Sequence, residues 1–246
     1  MNHLVVVVPA LFVIAFLYAS VGHGGASGYL AILALAGMES ATIRPIALIL
    51  NLLVSAVALL RFVRHGHFSW SILLPFAVTA VPCAFIAGRF WSLDARYYRI
   101  ALGITLIFAA WRLLISTSNT ADQIKKIPLL PALAIGGVIG LVSGLIGVGG
   151  GIFLSPILIL CYWATPRQTA AVSAAFILFS SIAGLAGLGL QSGGFHLDVR
   201  QVALYAVAAV AGGFVGSSLG ASRFDPLALR RVLAVVLIVA AVKLTL

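Results

Sequence analysis

Charged residues are scarce in this chain, and acidic residues are the scarcest of them. Asp, Glu, Lys and Arg together make up 8% of the 246 residues, whereas hydrophobic residues make up 63%. An ordinary soluble domain carries about 25% charged residues, so this chain has too few to cover a surface that faces water. Because roughly 20 apolar residues cross the hydrocarbon core of a bilayer, the composition predicts an all-α, polytopic helical membrane protein without a sizeable soluble domain.

The residue types that most enzymes and metal sites need are also missing from the apolar segments. All five acidic residues lie in loops or at predicted helix ends, the two cysteines have no CxxC spacing, and no HExxH or GK[ST] motif occurs. A carboxylate pair inside the membrane is therefore excluded, and with it the usual protease-like or ion-pump chemistry. The sequence predicts no enzyme activity, no metal and no cofactor.

The net charge of +10 does not indicate nucleic-acid binding, because the fifteen Lys and Arg residues are scattered at the ends of apolar runs and form no stripe. Membrane insertion and anionic lipid headgroups favour basic residues in such places, so membrane lipid is the expected partner. On an eight-span topology the Lys and Arg residues divide eight against seven between the two sides, which does not decide the orientation. A homo-oligomer is neither indicated nor excluded.

Long apolar runs fill most of the chain. Eight are long enough to span a bilayer, and two shorter runs each follow a cluster of glycines. No Lys or Arg precedes the first run, so it is predicted to be a retained span rather than a cleaved signal peptide. We therefore predict about eight spans and two short half-helices. The ten runs cover residues 4–21, 29–37, 43–60, 70–88, 97–115, 128–146, 152–163, 169–190, 199–219 and 229–246.

The two glycine clusters are GHGG at residues 22–25 and GVGGG at residues 147–151, and their first glycines are 125 residues apart. A helix broken inside the bilayer is tolerated only where protein or water surrounds it. The short helices that follow are expected to point their free N–H groups and positive dipole ends at the breaks, and glycine lets an anion approach the backbone. The clusters predict a two-fold anion site; the alternative is close packing between helices.

Other segments repeat as well. The motif ATIR at residues 41–44 recurs as ATPR at 164–167, and residues 94–113 match 225–244 at eight of twenty positions, including an Asp and an Arg. These matches predict an internal duplication. Repeats of four spans would run in parallel, whereas repeats of five, with the short helix counted, would be inverted; both remain open. The predicted units are a first repeat at 1–116, a polar linker at 117–127 and a second repeat at 128–246.

Polar side chains near the breaks complete the predicted site. Arg44 and Arg167 lie at equivalent positions before the span that follows each short helix, where they suit either an oxyanion or interfacial anchoring. His23 suits a coupling proton or a structural hydrogen bond. Asn51 lies near the middle of its span and is expected to face the bundle interior. The predicted substrate-binding residues are Gly22, His23, Gly24, Gly25, Arg44, Asn51, Gly147, Gly149, Gly150, Gly151, Pro156, Arg167 and Ser173.

The second glycine cluster resembles the signature of a known family. GLVSGLIGVGGGIFLSPILI at residues 140–159, with Pro156 and Leu158 after the glycines, is similar to the GxGGGxxxxPxL-like stretch of the sulfite exporter TauE/SafE family, also called the toluene sulfonate uptake permease family. The resemblance covers essentially the whole chain. It implies a transporter of the bacterial cytoplasmic membrane for sulfite, sulfonates or sulfoacetate. The first cluster departs from the motif, because Ala26 replaces the third glycine and no proline follows.

Together these features predict a secondary transporter of small sulfur-containing anions that works without ATP. An inside-negative potential alone favours anion export, by about 2.3 kcal/mol per charge per 100 mV, and uptake would need a coupled proton, for which His23 is the candidate. Two alternatives remain open: a channel-like anion facilitator that uses the breaks as a filter, and a membrane scaffold subunit in which the glycines only pack.

Overall fold

The computed structural model describes residues 2–20, 25–91, 93–115, 124–195 and 197–219, together with 231, 234, 235, 237–239, 241 and 242. Within these residues the chain is helical, with no strand. The helices are α1 (Asn2–Ser20), α2 (Ala26–Leu35), α3 (Ser40–Arg64), α4 (Trp70–Phe90), α5 (Ala95–Ile115), α6 (Leu129–Ile146), α7 (Gly151–Leu160), α8 (Pro166–Ser192) and α9 (Val199–Leu219).

The helix lengths fit a multi-pass membrane protein. By length and composition, five of the described helices can cross a membrane, namely α3, α4, α6, α8 and α9. In contrast, α2 and α7 have ten residues each, which at a rise of about 1.5 Å per residue reach only half of a roughly 30 Å hydrocarbon core. The prediction of a short helix after each glycine cluster is confirmed.

The outer surface is apolar and part of the interior is polar, as expected for a bundle surrounded by lipid. Large hydrophobic side chains such as Trp70, Val138 and Val207 are more than half exposed, whereas Asn51 and Ser181 are fully buried. Lipid tails are as apolar as the exposed side chains and offer no hydrogen bonds. The polar groups therefore find hydrogen-bond partners only inside the bundle, in one another, in the backbone or in water.

Glycines allow two pairs of helices to pack with their backbones in contact. On α6, Gly136, Gly140 and Gly144 lie against the carbonyl groups of Phe76, Ala80 and Ala84 of α4; on α9, Gly212 and Gly216 lie against those of Phe12 and Phe16 of α1. A side chain at any of these glycines would overlap the carbonyl oxygen. In both pairs the residue numbers rise together, so α4 runs parallel to α6 and α1 runs parallel to α9.

The centre of the bundle is formed by α3 and α8, which run antiparallel. Leu48 of α3 contacts Gly184 of α8, while Asn51, one turn further along α3, and Ser181, one turn earlier on α8, both lie beside Gly149. The numbers therefore rise on one helix as they fall on the other. All the other long described helices pack against one of these two or against a helix that does.

The second glycine cluster is the tip of a helical hairpin rather than a kink in one helix. Tyr162, just after α7, accepts a 2.8 Å hydrogen bond from the backbone N–H of Lys125, which precedes α6. The outer ends of α6 and α7 thus meet, and the chain reverses at residues 147–150. It reverses again before α8, where the N-cap residue Thr165 forms a capping box with Gln168.

Candidate functional site

The turn between α6 and α7 has a backbone that glycine adopts at no steric cost. Gly149 and Gly150 have φ values of 77° and 74°, in the left-handed region that other L-residues avoid. The carbonyl of Gly150 then accepts the N–H groups of Phe153 and Leu154 at 3.1 and 3.2 Å. The N–H of Gly151 bonds the carbonyl of Gly149 at 3.0 Å. Of the first N–H groups, which have no partner within the helix, that of Ile152 remains as a donor beside the positive dipole end of α7.

Tight packing fixes this turn in place. A Cβ atom at Gly149 would lie 3.0 Å from Ile177 and 3.1 Å from the amide nitrogen of Asn51, and one at Gly150 would lie 2.6 Å from the Phe176 ring. At Gly151 it would overlap Ile177. Any side chain here would push α7 away from α8, so the glycines are required by space as well as by φ.

Three buried side chains donate to the carbonyl end of α6. Arg44 Nη2 bonds the carbonyl of Gly144 at 3.0 Å, Tyr98 Oη bonds that of Ile146 at 3.1 Å, and Asn51 Nδ2 lies 3.5 Å from that of Gly147. The C-terminal end of a helix carries unpaired carbonyls and a partial negative charge. Arg44 is only 6% exposed, so it caps a helix inside the bundle and is not a lipid-facing anchor.

The N-terminal ends of both short helices line one cavity of about 400 Å³. Gly25 and Ser27 of the first break lie on its wall, and Gly151 and Ile152 of the second break lie there too. Gly25, in the left-handed region with φ 79°, precedes α2 as Gly150 precedes α7. The two breaks therefore aim helix N-termini at the same space.

Paired hydroxyl groups add polar atoms to the cavity wall. Ser27 Oγ and Tyr18 Oη are 2.7 Å apart, and Ser155 Oγ and Ser173 Oγ are 2.8 Å apart. Ser155 also donates to the carbonyl of Gly151 at 2.8 Å. A hydroxyl can rotate to donate or accept, so the wall can offer donors to an anion or to water without rearrangement of the backbone.

The rim of the cavity is basic. Arg61, His65 and His67 at the end of α3 line the cavity together with Arg167 at the start of α8, and none of the described residues that line it is acidic. Arg167 and His65 are exposed, while Arg61 lies 4.3 Å from the centre of the Phe214 ring. Such a rim attracts anions and repels cations before either reaches the breaks.

The structure separates the predicted site residues into three groups. Those that line the cavity are Gly25, Gly151, Arg167 and Ser173. Those that form or support the turn behind it are Gly147, Gly149, Gly150, Arg44 and Asn51. Pro156 lies on the other side of α7, in a groove between α5, α6 and α7. Gly22, His23 and Gly24 lie outside the described residues.

Sequence reasoning missed several residues that the structure brings to the site. Ser27 lies two residues after the first glycine cluster, at the start of the short helix predicted there, and this position could have identified it. Arg61, His65 and His67 follow the apolar run at residues 43–60 in a basic segment typical of a loop, yet they line the cavity. Tyr98 could not be found, because its bond to Ile146 joins residues 48 apart. In the described part of the chain, no three His, Cys, Asp or Glu residues are grouped as metal ligands would be.

An apolar helical bundle in which two glycine-capped half-helices begin at one cavity with a basic rim fits the architecture of a membrane transport protein. The chain belongs to the sulfite exporter TauE/SafE family, whose sequence profile matches residues 7–244. The motif at the second glycine cluster thus identified the family correctly.

Two relatives agree with this assignment. The chain is 38% identical to "Probable membrane transporter protein y4hK" of Sinorhizobium fredii, over 96% of this chain and 95% of that protein. It is 25% identical to "Probable membrane transporter protein MJ0441" of Methanocaldococcus jannaschii, over 61% of this chain and 57% of that protein. No solved structure was found to match the chain. The family and both relatives place this multi-pass protein among membrane transporters.

Proposed function

We propose that this protein is a secondary transporter of small sulfur-containing anions such as sulfite, sulfonates or sulfoacetate, and that it works in the bacterial cytoplasmic membrane. One observation carries the proposal: two helix N-termini from separate breaks line the same cavity, whose rim is basic. The family's description as a sulfite exporter supports the choice of sulfur oxyanions.

The proposed anion path has two stages. Arg167 and Arg61 draw the anion to the rim by long-range attraction. The anion then binds between the starts of α2 and α7, where backbone N–H groups and dipoles stabilise negative charge. The Ser27 and Ser155 hydroxyls complete its coordination. A cavity of about 400 Å³ has room for a small oxyanion together with water.

We also propose that the chain is an inverted duplication of residues 1–116 and 128–246. Under this relation α1 corresponds to α6 and α4 corresponds to α9, so the parallel pair α1 and α9 corresponds to the parallel pair α6 and α4. Spanning helices joined by a short loop at one membrane surface run in opposite directions, so α4 runs opposite to α3 and α9 runs opposite to α8. Because α6 is parallel to α4 and α1 is parallel to α9, α6 runs opposite to α3 and α1 runs opposite to α8. Since α3 is itself antiparallel to α8, α1 and α6 are antiparallel, as inverted repeats require.

We propose that the driving force is an ion gradient or the electrochemical gradient of the anion itself, since the chain has no ATP-binding motif. Lipid is the proposed partner of the apolar outer surface, and assembly into a homo-oligomer is left to experiment.

The proposed function is tested by flux through proteoliposomes that contain the purified protein. We expect saturable uptake of sulfite that follows an imposed gradient, and competition by a small organosulfonate but not by a cation of similar size. Conductance that does not saturate would instead support a channel-like facilitator. Absence of flux with every sulfur oxyanion tried, from protein that is folded in the vesicles, would refute the proposed substrate class.

A further inference from the structure

The cavity between the two breaks reaches solvent at a rim that includes the exposed residues Arg167 and His65. If the two halves are equivalent, as proposed above, each residue of its wall has a counterpart at an offset of 123 or 125 in the other half. We call the counterparts of five such residues the counterpart wall. The counterparts of Arg167, Ala174, Val57, Ala58 and Tyr18 are Arg44, Asn51, Ser180, Ser181 and Ser143, respectively.

The counterpart wall is polar but buried. Arg44 is 6% exposed, and Asn51, Ser143, Ser180 and Ser181 are at most 1% exposed. Within the described part of the chain, seven buried side-chain polar atoms have no hydrogen-bond partner, and five of them belong to this wall: Arg44 Nε, Asn51 Oδ1 and the three serine hydroxyls.

Such a concentration of unpaired atoms needs a physical reason. Buried polar groups almost always have partners, because an unpaired one loses its hydrogen bonds to water and gains nothing in return. Arg44 is also a buried cation, and no ion pair with a described residue satisfies it. These groups would be fully hydrated if the wall faced an open vestibule, as the wall of the present cavity does.

A small apolar contact closes the counterpart wall. A Cβ atom at Gly184 would lie 3.7 Å from both Leu48 Cδ1 and Gly144 Cα, so α3, α6 and α8 touch here. Under the offset of 123, the counterpart of Gly184 is Arg61, which lies at the open rim. The equivalent positions thus differ in the two halves: Gly184 lies in a closed contact beside the counterpart wall, whereas Arg61 lies at the open rim of the present cavity.

We propose that the counterpart wall lines a second vestibule, closed in this structure, which opens to the opposite side of the membrane when the present cavity closes. The inference rests on the proposed transport function and on the proposed duplication. In the opposite state, Arg44 exchanges the carbonyl of Gly144 for water or for the oxyanion, and it then stands at the second rim as Arg167 stands at the first. The three serines and Asn51 provide a hydrated path for a small oxyanion.

The test measures cysteine accessibility from each side of the membrane. Cys83 and Cys161 are first replaced by serine, and single cysteines are then introduced as Val57→Cys in the present cavity and Ser180→Cys in the counterpart wall. These two positions correspond under the offset of 123, so they are matched controls. The probe is a membrane-impermeant methanethiosulfonate that carries a sulfonate, applied to oriented vesicles from one side and then from the other.

We expect Val57→Cys to react with probe applied from one side of the membrane. Ser180→Cys is expected to react at least ~10-fold faster with probe applied from the opposite side than from that first side, a ratio of rates that corresponds to about 1.4 kcal/mol. Labelling of Ser180→Cys from the same side as Val57→Cys, or from neither side while sulfite flux continues, would overturn the inference and leave the transport function standing. Labelling from opposite sides without flux of any sulfur oxyanion would refute the substrate class and retain the second vestibule.

A second variant guards against a failure of Ser180→Cys to fold. Ser143→Cys lies in the same wall on a different helix, and the same side preference is expected for it. In addition, Gly184→Phe places a large side chain in the contact between α3, α6 and α8. We expect it to increase the labelling rate of Ser143→Cys and to decrease that of Val57→Cys. An unchanged ratio of the two rates would contradict the proposed exchange between vestibules.

Discussion

The breaks before α2 and before α7 each bring a helix N-terminus to one cavity, but these two helix starts are supported by different side chains. At the second break, Ile177 and Phe176 pack against the glycines, and serine hydroxyls face the cavity. At the end of the first break, the tip of the Tyr29 ring covers Gly25, and the hydroxyls are those of Tyr18 and Ser27.

This difference shows which parts of the site are constrained. Helix N–H groups and dipoles come from the main chain, so any sequence that turns with positive φ and begins a helix preserves them. The supporting side chains need only fill space and satisfy polar atoms, and these roles are open to substitution. This explains how the first copy can lack the third glycine and the proline of the second copy and still reach the cavity.

The largest effect is expected for Gly150→Ala at the second break. The new Cβ would lie 2.6 Å from the Phe176 ring at a φ of 74°, which combines about 1–2 kcal/mol of left-handed strain with about 1–3 kcal/mol of overpacking. We expect loss of sulfite flux and a lower melting temperature in detergent. The matched control is Gly37→Ala, which has a φ of 75° and no atom near the new Cβ.

Gly37→Ala isolates the backbone strain, so it should lower stability by only about 1–2 kcal/mol and leave flux intact. The variant Gly25→Ala makes the corresponding change at the first break, where the new Cβ would contact the end of the Tyr29 ring. Equal losses of flux for Gly25→Ala and Gly37→Ala would show that the first break contributes nothing to the site.

The next effect is expected for Arg44→Gln, which removes a buried donor from the carbonyl end of α6. A hydrogen bond from a charged group contributes about 1.5–3 kcal/mol, and the Gly144 carbonyl would be left without its side-chain partner. We expect a corresponding loss of stability, read as a lower melting temperature. An unchanged melting temperature would contradict the capping role of Arg44 in this state, whatever the effect on the KM for sulfite.

A smaller and different effect is expected for Arg167→Gln, the corresponding change in the other half. Arg167 is exposed at the rim, and exposed charges contribute little to stability, about 0–1 kcal/mol. We expect an unchanged melting temperature, a raised KM for sulfite and a weaker dependence of flux on ionic strength. A loss of stability as large as that of Arg44→Gln would mean that the two arginines have the same role.

The smallest effect is expected at the ends of the two short helices. After α2 the left-handed position is Gly37, whereas after α7 it is Tyr162, with a φ of 58°. Tyr162→Gly would relieve about 1–2 kcal/mol of strain, partly offset by loss of the contact between the Tyr162 ring and Lys125 Nζ at 5.6 Å. We expect a net change in stability below about 1 kcal/mol and unchanged flux. A clear loss of flux would give the Tyr162 ring a functional role.

Much of the local architecture could be predicted from the chain alone, because it depends on neighbouring residues. The short helices α2 and α7 begin directly after their glycines, and α8 begins directly after its Thr165 cap, since each signal lies within a few residues of its effect. The roles of Arg44 and Tyr98 could not be predicted. Their partners lie 100 and 48 residues away, and no local pattern connects a donor on one helix with a carbonyl on another.

The sequence by itself determined that the chain lies in a membrane, is helical and breaks at two glycine clusters. The physical reason is that hydrocarbon accepts few charges, demands internally bonded backbone and permits a break only where special residues allow it. The tertiary structure alone decided how the helices run and which residues face the cavity. Basic residues divide eight against seven between the two sides of an eight-span topology, so they do not fix the orientation. In helices that are apolar on every face, the sequence does not distinguish the side that packs on another helix from the side that faces lipid or water.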